Sequence, residues 1–182
     1  MEYVEKLAAF DLDDTLYMGN SHFEILNAYY NTHFFTSVFM RAFGKFFPNT
    51  RLKFFNLFYN RIPNEFRHRF LLPYRQDVIR IFNEKKRSGY KMIIVSNAPL
   101  DLLMSAARNL NVEYISAETS KKSIAIQERF VFEYLFVCTD NKTDLDIISM
   151  ANEAVITCRK KDKDFFSRSL PEKNVRFCFN DK

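Results

Sequence analysis

Glycine is scarce in this 182-residue chain: Gly19, Gly44 and Gly89 are the only three. Neither Gly-x-Gly-x-x-Gly nor Gly-x-x-x-x-Gly-Lys occurs, so the glycine-rich loops that cradle nucleotide phosphates are excluded. Any phosphate chemistry must use another apparatus. Cysteine is equally rare. Cys138, Cys158 and Cys178 are too few for a disulfide scaffold and lack the local Cys/His spacing of a zinc site. Each falls in an apolar, strand-like run, so all three are expected to be buried, reduced thiols in a cytoplasmic protein. No stretch of about 18 uncharged apolar residues exists, and no transmembrane helix is expected. The opening Met1-Glu2-Tyr3-Val4-Glu5-Lys6 shows no basic segment leading into an apolar one, so no signal peptide is visible. What is present, 47% hydrophobic and 27% charged residues, is ordinary globular material. The length suits one domain, or one domain with an insert, able to bury a core without metals or disulfides.

The net charge of +5 conceals an asymmetry. Residues 1–19 carry Glu2, Glu5, Asp11, Asp13 and Asp14 against Lys6 alone, and residues 20–75 carry Arg41, Lys45, Arg51, Lys53, Arg61, Arg67, Arg69 and Arg75 against Glu24 and Glu65. An acidic cluster suits a cation, and a basic segment suits an anionic substrate or surface. The basic residues match no nucleic-acid reading motif, so no nucleic-acid partner is expected.

Short apolar runs at 7–10, 91–95, 114–116, 135–138, 154–158 and 175–179 read as strands buried on both faces. Helical patterns separate them. One runs over 77–88 with Gly89 as a left-handed cap, and one is opened by Pro99. Another starts near Ser120 and carries Ile124, Ile126 and Phe130, and a short one begins at Leu145. Alternation of strand and helix predicts an α/β protein with a parallel, Rossmann-like sheet. Residues 20–74 break the rhythm. They hold no convincing strand, are dense in Phe and Tyr, and are cut by Pro48, Pro63 and Pro73 into three or four helices. The expected division is therefore a core of 1–19 plus 75–182 and a helical insert of 20–74.

Sites in open parallel sheets form beyond the carboxyl ends of the strands. The first strand is followed by Asp11-Leu12-Asp13-Asp14-Thr15, the second by Ser96-Asn97, and the fourth by Asp140 and Asp144; Lys121-Lys122 opens the helix before the fourth. Carboxylates so gathered repel one another and need a cation or a proton. An oxygen-only set with few protein ligands suits Mg²⁺, which keeps waters and bridges to phosphate. One Asp can attack phosphorus, a second can move the proton, and a hydroxyl and a Lys can hold the equatorial oxygens.

These motifs, in this order, resemble the haloacid dehalogenase superfamily over residues 5–19 and about 76–182. The resemblance implies that Asp11 is the nucleophile and Asp13 the acid/base of a phosphatase. It implies that Asp11, the backbone carbonyl of Asp13 and Asp140 bind Mg²⁺, with Asp144 as a further ligand or anchor, while Asp14 is structural. Ser96, Asn97 and a lysine would bind phosphate. Lys122 fits because Ile126 and Phe130 continue an apolar helical stripe from it, with Lys121 as the alternative. A phosphotransferase or mutase, or a non-catalytic binding protein, are the competing readings. The chain departs from the family pattern at Thr139, where a Gly usually precedes the metal-binding Asp. The insert occupies the place of a cap that closes over a small phosphorylated substrate, with Gly19 as a hinge. Its basic residues are read as solvated helix faces; the sharper alternative is that one or two reach the site and bind a second anionic group of the substrate. Its aromatic and basic composition also suits a membrane surface or a homodimer formed through the cap.

Overall fold

A computed structural model describes residues 1–170 and 174–179. Six strands form one wholly parallel sheet: β1 (Glu2–Phe10), β2 (Lys91–Ser96), β3 (Glu113–Ser116), β4 (Phe130–Thr139), β5 (Glu153–Cys158) and β6 (Val175–Phe179). Their order is β3-β2-β1-β4-β5-β6. The chain winds outward from β1 in one direction and then from β4 in the other, so the connections diverge at the β1/β4 seam. All six strand runs read from the sequence are present, but β1 and β4 extend further toward their amino ends. There Glu2–Lys6 pairs with Phe130–Tyr134.

Side chains two apart share a face of the sheet, and the burial follows that period. Leu7 and Ala9 of β1, Ile93 and Val95 of β2 and Leu135 and Val137 of β4 point to one face. There they meet Ile126 of α7 (Lys122–Gln127), Ile147 and Ile148 of α8 (Leu145–Met150) and Phe166 of α9 (Lys163–Ser169). Ala8, Phe10, Met92, Ile94, Phe136 and Cys138 point to the other. They meet Val78, Ile81 and Phe82 of α5 (Gln76–Arg87) and Leu103, Ala106 and Ala107 of α6 (Leu100–Leu110). Gly89, at φ +79°, closes α5 in the left-handed conformation the sequence suggested. Two expectations need correction. Phe130 is not on a helix with Ile126: α7 stops at Gln127 and Phe130 opens β4. Cys138 and Cys158 are buried and free, whereas Cys178, also free, is only partly buried.

Between β1 and β2 lie α1 (Ser21–Tyr29), α2 (Val38–Phe46), α3 (Pro48–Tyr59) and α4 (Asn64–Arg69). The first three, with the segments joining these helices, share a separate apolar cluster of Ile25, Leu26, Phe35, Met40, Phe55, Tyr59 and Ile62, to which α6 contributes Leu102. Polar contacts tie the insert to the same helix. The Tyr59 hydroxyl donates to Asp101, Arg67 Nε lies 3.2 Å from Asp101 Oδ2, and Ser105 Oγ donates to the His68 carbonyl. The chain enters and leaves side by side: Met18 N–H bonds the Pro73 carbonyl, Arg75 N–H bonds the Leu16 carbonyl, and the Tyr17 and Tyr74 rings stack.

Candidate active site

The Asp11 N–H bonds the Cys138 carbonyl at 2.9 Å, so strand pairing continues to the residue that bears the first carboxylate. The backbone then makes a wide turn over Leu12–Leu16, closed by Tyr17 N–H to the Leu12 carbonyl at 2.8 Å. Leu12 and Leu16 are fully buried. They anchor the turn in the core while its acids face a cavity of about 330 Å³. Asp14 takes φ +53° in this turn, a left-handed conformation that Asp tolerates. Its carbonyl accepts from Thr157 Oγ1 at 3.3 Å.

Asp11, Asp13, Asp14, Asp140 and Asp144 all line this cavity with Ser96, Asn97 and Lys122. The structure thus gathers every site residue read from the sequence at the β1/β4 seam. Lys122, buried at the start of α7, sets its Nζ 2.9 Å from Asp11 Oδ1 and 2.6 Å from Asp144 Oδ2. Burial works against that ammonium, but Asp11 and Asp144 outweigh it and hold its pKa above the usual lysine value. Lys121 is exposed and pairs with Glu118 at 2.6 Å. Ser96 ends β2; its Oγ accepts from Ala98 N–H at 3.3 Å, while Asn97 Nδ2 donates to Thr119 Oγ1.

Burial raises three of these carboxyls above their ordinary range. Burial pushes Asp13 up to about 7; hydrogen bonds from Ser21 resist, and the charges of Asp11 and Asp14 add to the rise. The Ser21 N–H, at the start of α1, reaches Asp13 Oδ1 at 2.8 Å. Burial pushes Asp140 up to about 8, with Asp11 and Asp14 adding and a hydrogen bond from Thr15 Oγ1 at 3.2 Å resisting. Burial also raises Asp144, against the pull of Lys122 and Thr139.

One ammonium against five carboxyls leaves this cavity short of positive charge. Asp144 Oδ1 is buried without a partner. Among the described residues no three His, Cys, Asp or Glu side chains gather into a complete metal cage. A hard cation that keeps several waters needs only one or two carboxylates, and the oxygen-only donors here fit that kind of ion.

The contacts of two neighbours were not legible in the sequence. Thr139 Oγ1 donates to Asp144 Oδ2 at 2.6 Å and accepts from Asn141 N–H, so the departure from the family pattern supplies a hydroxyl that orients Asp144. His22 of the insert also lines the cavity. Its Nε2 is buried without a partner, its ring packs edge-on against Tyr59, and burial lowers its pKa to about 4.

A second cavity of about 690 Å³ shares Asp14, Asn20, Phe23, Asp140 and Asn141 with the first and extends along the insert to Arg41 and Arg51. Arg41 Nε donates to the Thr36 carbonyl, and Arg51 lies over the rings of Phe23 and Phe55. Neither has a carboxylate partner among the described residues. The other arginines are engaged elsewhere: Arg67 with Asp101, Arg69 with Glu65, and Arg61 over Phe58.

No family model and no curated protein matches the sequence. Solved structures do match. A phosphoserine phosphatase in apo form superposes with a TM-score of 0.63 at 15% identity, covering 98% of this chain and 94% of that one. A HAD family hydrolase from Salmonella enterica serovar Typhi gives 0.60 at 15% identity, over 88% of this chain and 65% of that one. A protein of unknown function from Bordetella pertussis Tohama I gives 0.60 at 11% identity, over 94% and 98%. At these identities the likeness is one of fold: the chain has the α/β fold of haloacid dehalogenase-type hydrolases and phosphatases.

Proposed function

We propose that the protein is a Mg²⁺-dependent phosphatase that hydrolyses a phosphate monoester through an aspartyl phosphate. The observation that carries this reading is the meeting of Asp11, Asp13, Asp140, Asp144 and Lys122 in one cavity at the seam where the strand order reverses. Asp11, the Asp13 carbonyl and Asp140 would hold Mg²⁺, with Asp144 behind them. The ion would offset the carboxylate charge and that of the phosphate, which this acidic cavity would otherwise repel.

An Asp11 carboxylate oxygen forms a bond to phosphorus as the ester P–O bond breaks. The departing oxygen takes the proton of Asp13, whose pKa near 7 suits a group that both gives and takes a proton at neutral pH. Asp13, now ionised, accepts a proton from water. That water's oxygen bonds to phosphorus, the bond to Asp11 breaks, and inorganic phosphate leaves. Lys122 orients Asp11 and faces the phosphoryl oxygens together with Ser96 and Asn97. The insert acts as the cap. Because Arg41 and Arg51 border the adjoining cavity without carboxylate partners, the favoured substrate carries a second anionic group beyond the transferred phosphate.

The test pairs turnover with binding. Phosphate release from an aryl phosphate should require Mg²⁺, and calorimetric Mg²⁺ titration should show binding to the wild type that Asp140→Ala loses or greatly weakens. Metal-independent release would remove Mg²⁺ from the mechanism. Equal affinity in both proteins would move the ion away from Asp140.

A further inference from the structure

Residues 25–64 contain no Asp or Glu, yet Arg41, Lys45, Arg51, Lys53 and Arg61 lie within them. The middle of that acid-free stretch is α2 and α3, which meet at Phe47. The inward side of α2 presents Met40, Phe43 and Gly44 to the insert's own core. A helix packed that way should be polar where it meets water. Instead Val38 is 80%, Phe39 67%, Phe46 73% and Phe47 57% exposed. On α3, Leu52 and Leu57 are also exposed, and the exposed Lys45 and Lys53 adjoin Phe46 and Leu52 in the chain. Exposed phenylalanines grouped on consecutive helices mark a surface that is covered in use.

We infer that this face of α2 and α3 docks on an anionic lipid bilayer. Charge decides between the two occupants an apolar face most readily takes. A second copy related by a twofold axis would press the same patch against itself, bringing Lys45 and Lys53 toward their own counterparts with no acid on either side to offset them. Anionic headgroups supply the missing negative charge, and the phenylalanine rings enter the boundary between headgroups and acyl chains. No helix among the described residues is long and apolar enough to cross a membrane, so the contact is one of lying on the surface. Leu52 borders the smaller cavity and Arg41 the larger, so docking brings both rims toward the headgroup layer.

The experiment is sedimentation of the protein, without substrate, with vesicles of phosphatidylcholine alone and of phosphatidylcholine mixed with phosphatidylglycerol. The wild type should bind the mixed vesicles, and added salt should weaken that binding. Lys45→Gln with Lys53→Gln should lower the affinity roughly twenty-fivefold, about fivefold per basic residue. Phe39→Ser with Phe46→Ser should abolish binding while the melting temperature shows the protein still folded. None of the four residues lines either cavity, and the assay involves no turnover, so it stands or falls apart from the phosphatase reading. Absence of binding to the mixed vesicles overturns the inference. So does binding that both double variants leave unchanged, or a wild-type dimer in solution that Phe39→Ser with Phe46→Ser dissociates, which would assign the face to a second copy.

Discussion

Five carboxyls and one ammonium meet at the carboxyl ends of β1 and β4, whereas residues 25–64 of the helical insert hold no carboxyl at all. At the sheet edge, charge is concentrated, buried and pinned, by backbone at Asp11 (the hydrogen bond to Cys138) and Asp13 (the start of α1) and by the side chains of Thr139 and Lys122 at Asp144. In the insert, charge is spread over side chains with long reach, and order comes from aromatic rings packed edge to face, such as Phe35 against Phe55 and Phe58. The first arrangement suits a chemical step, which needs groups fixed before the substrate arrives. The second suits selection, where a contact is made or missed according to what the substrate or surface carries.

The sharpest way to break that division is Asp11→Asn. The amide keeps the shape of the carboxylate but is a poor nucleophile, so turnover should fall by on the order of a thousandfold or more. Removing one of several crowded negative charges should leave the melting temperature unchanged or raise it. Steady-state kinetics and a thermal melt on the same preparation check both halves. Near-normal turnover would end the aspartyl-phosphate mechanism, and the core would lose its claim to the chemistry.

The sheet-edge residues were legible because a parallel sheet ties position to sequence: the residues just after an apolar run lie at the strand's carboxyl end. The ends of the elements were less so. Of Glu2–Lys6 only Val4 is even partly buried, so only Leu7–Phe10 read as strand. Ile124, Ile126 and Phe130 fit a helical period, yet Ile124 faces solvent and Phe130 buries against Ile126 from the first position of β4. Spacing favoured Lys122 over Lys121 but did not exclude the neighbour. Burial sends Lys122 between Asp11 and Asp144 and leaves Lys121 in water, a distinction that requires knowing which side of α7 faces the sheet. Thr139 reads equally well as an ordinary strand end, and His22 reaches the cavity only through the packing of α1 against Tyr59. The arginines of the insert looked alike in sequence, while in the structure Asp101 and Glu65 occupy two of them.

Acid should separate the two regions further. His22 is held neutral in the folded insert with a pKa near 4, against 6.5 when unfolded, by burial that outweighs the opposing charge of Asp101. Between those values the unfolded chain binds a proton that the folded chain does not. Its contribution to stability is therefore complete above about pH 6.5 and is lost as the pH falls toward 4, by up to about 3 kcal/mol. The raised carboxyls of the core, Asp13 and Asp140, act in the opposite sense, because the folded protein takes up their protons first. His22→Phe keeps a ring beside Tyr59 and removes the titration. Denaturant melts from pH 7 to pH 4 should show the variant losing less stability than the wild type. Parallel curves would mean that the imidazole is solvated.

The smallest effect tests whether selection rests on the placement of one guanidinium. Arg51→Ala should raise KM about tenfold to a hundredfold for a substrate with a second anionic group, the loss of one charge-assisted contact, and leave a small aryl phosphate almost untouched. Arg69→Ala should change neither substrate, since Arg69 is exposed and paired with Glu65. Gly44→Ala reaches Arg51 indirectly. A Cβ at Gly44 would stand 2.3 Å from the Arg51 guanidinium, close enough to push that flexible group off Phe23 and Phe55 without disturbing backbone. The substitution also favours helix by about 1 kcal/mol in the interior of α2. The variant should thus be as stable as the wild type or slightly more so, with a KM displaced in the direction of Arg51→Ala but by less. If Gly44→Ala leaves both substrates unaffected while Arg51→Ala does not, the charge of Arg51 matters and its position against the two rings does not. If neither variant distinguishes the substrates, the arginine is a solvated wall of the cavity and selection lies elsewhere in the insert.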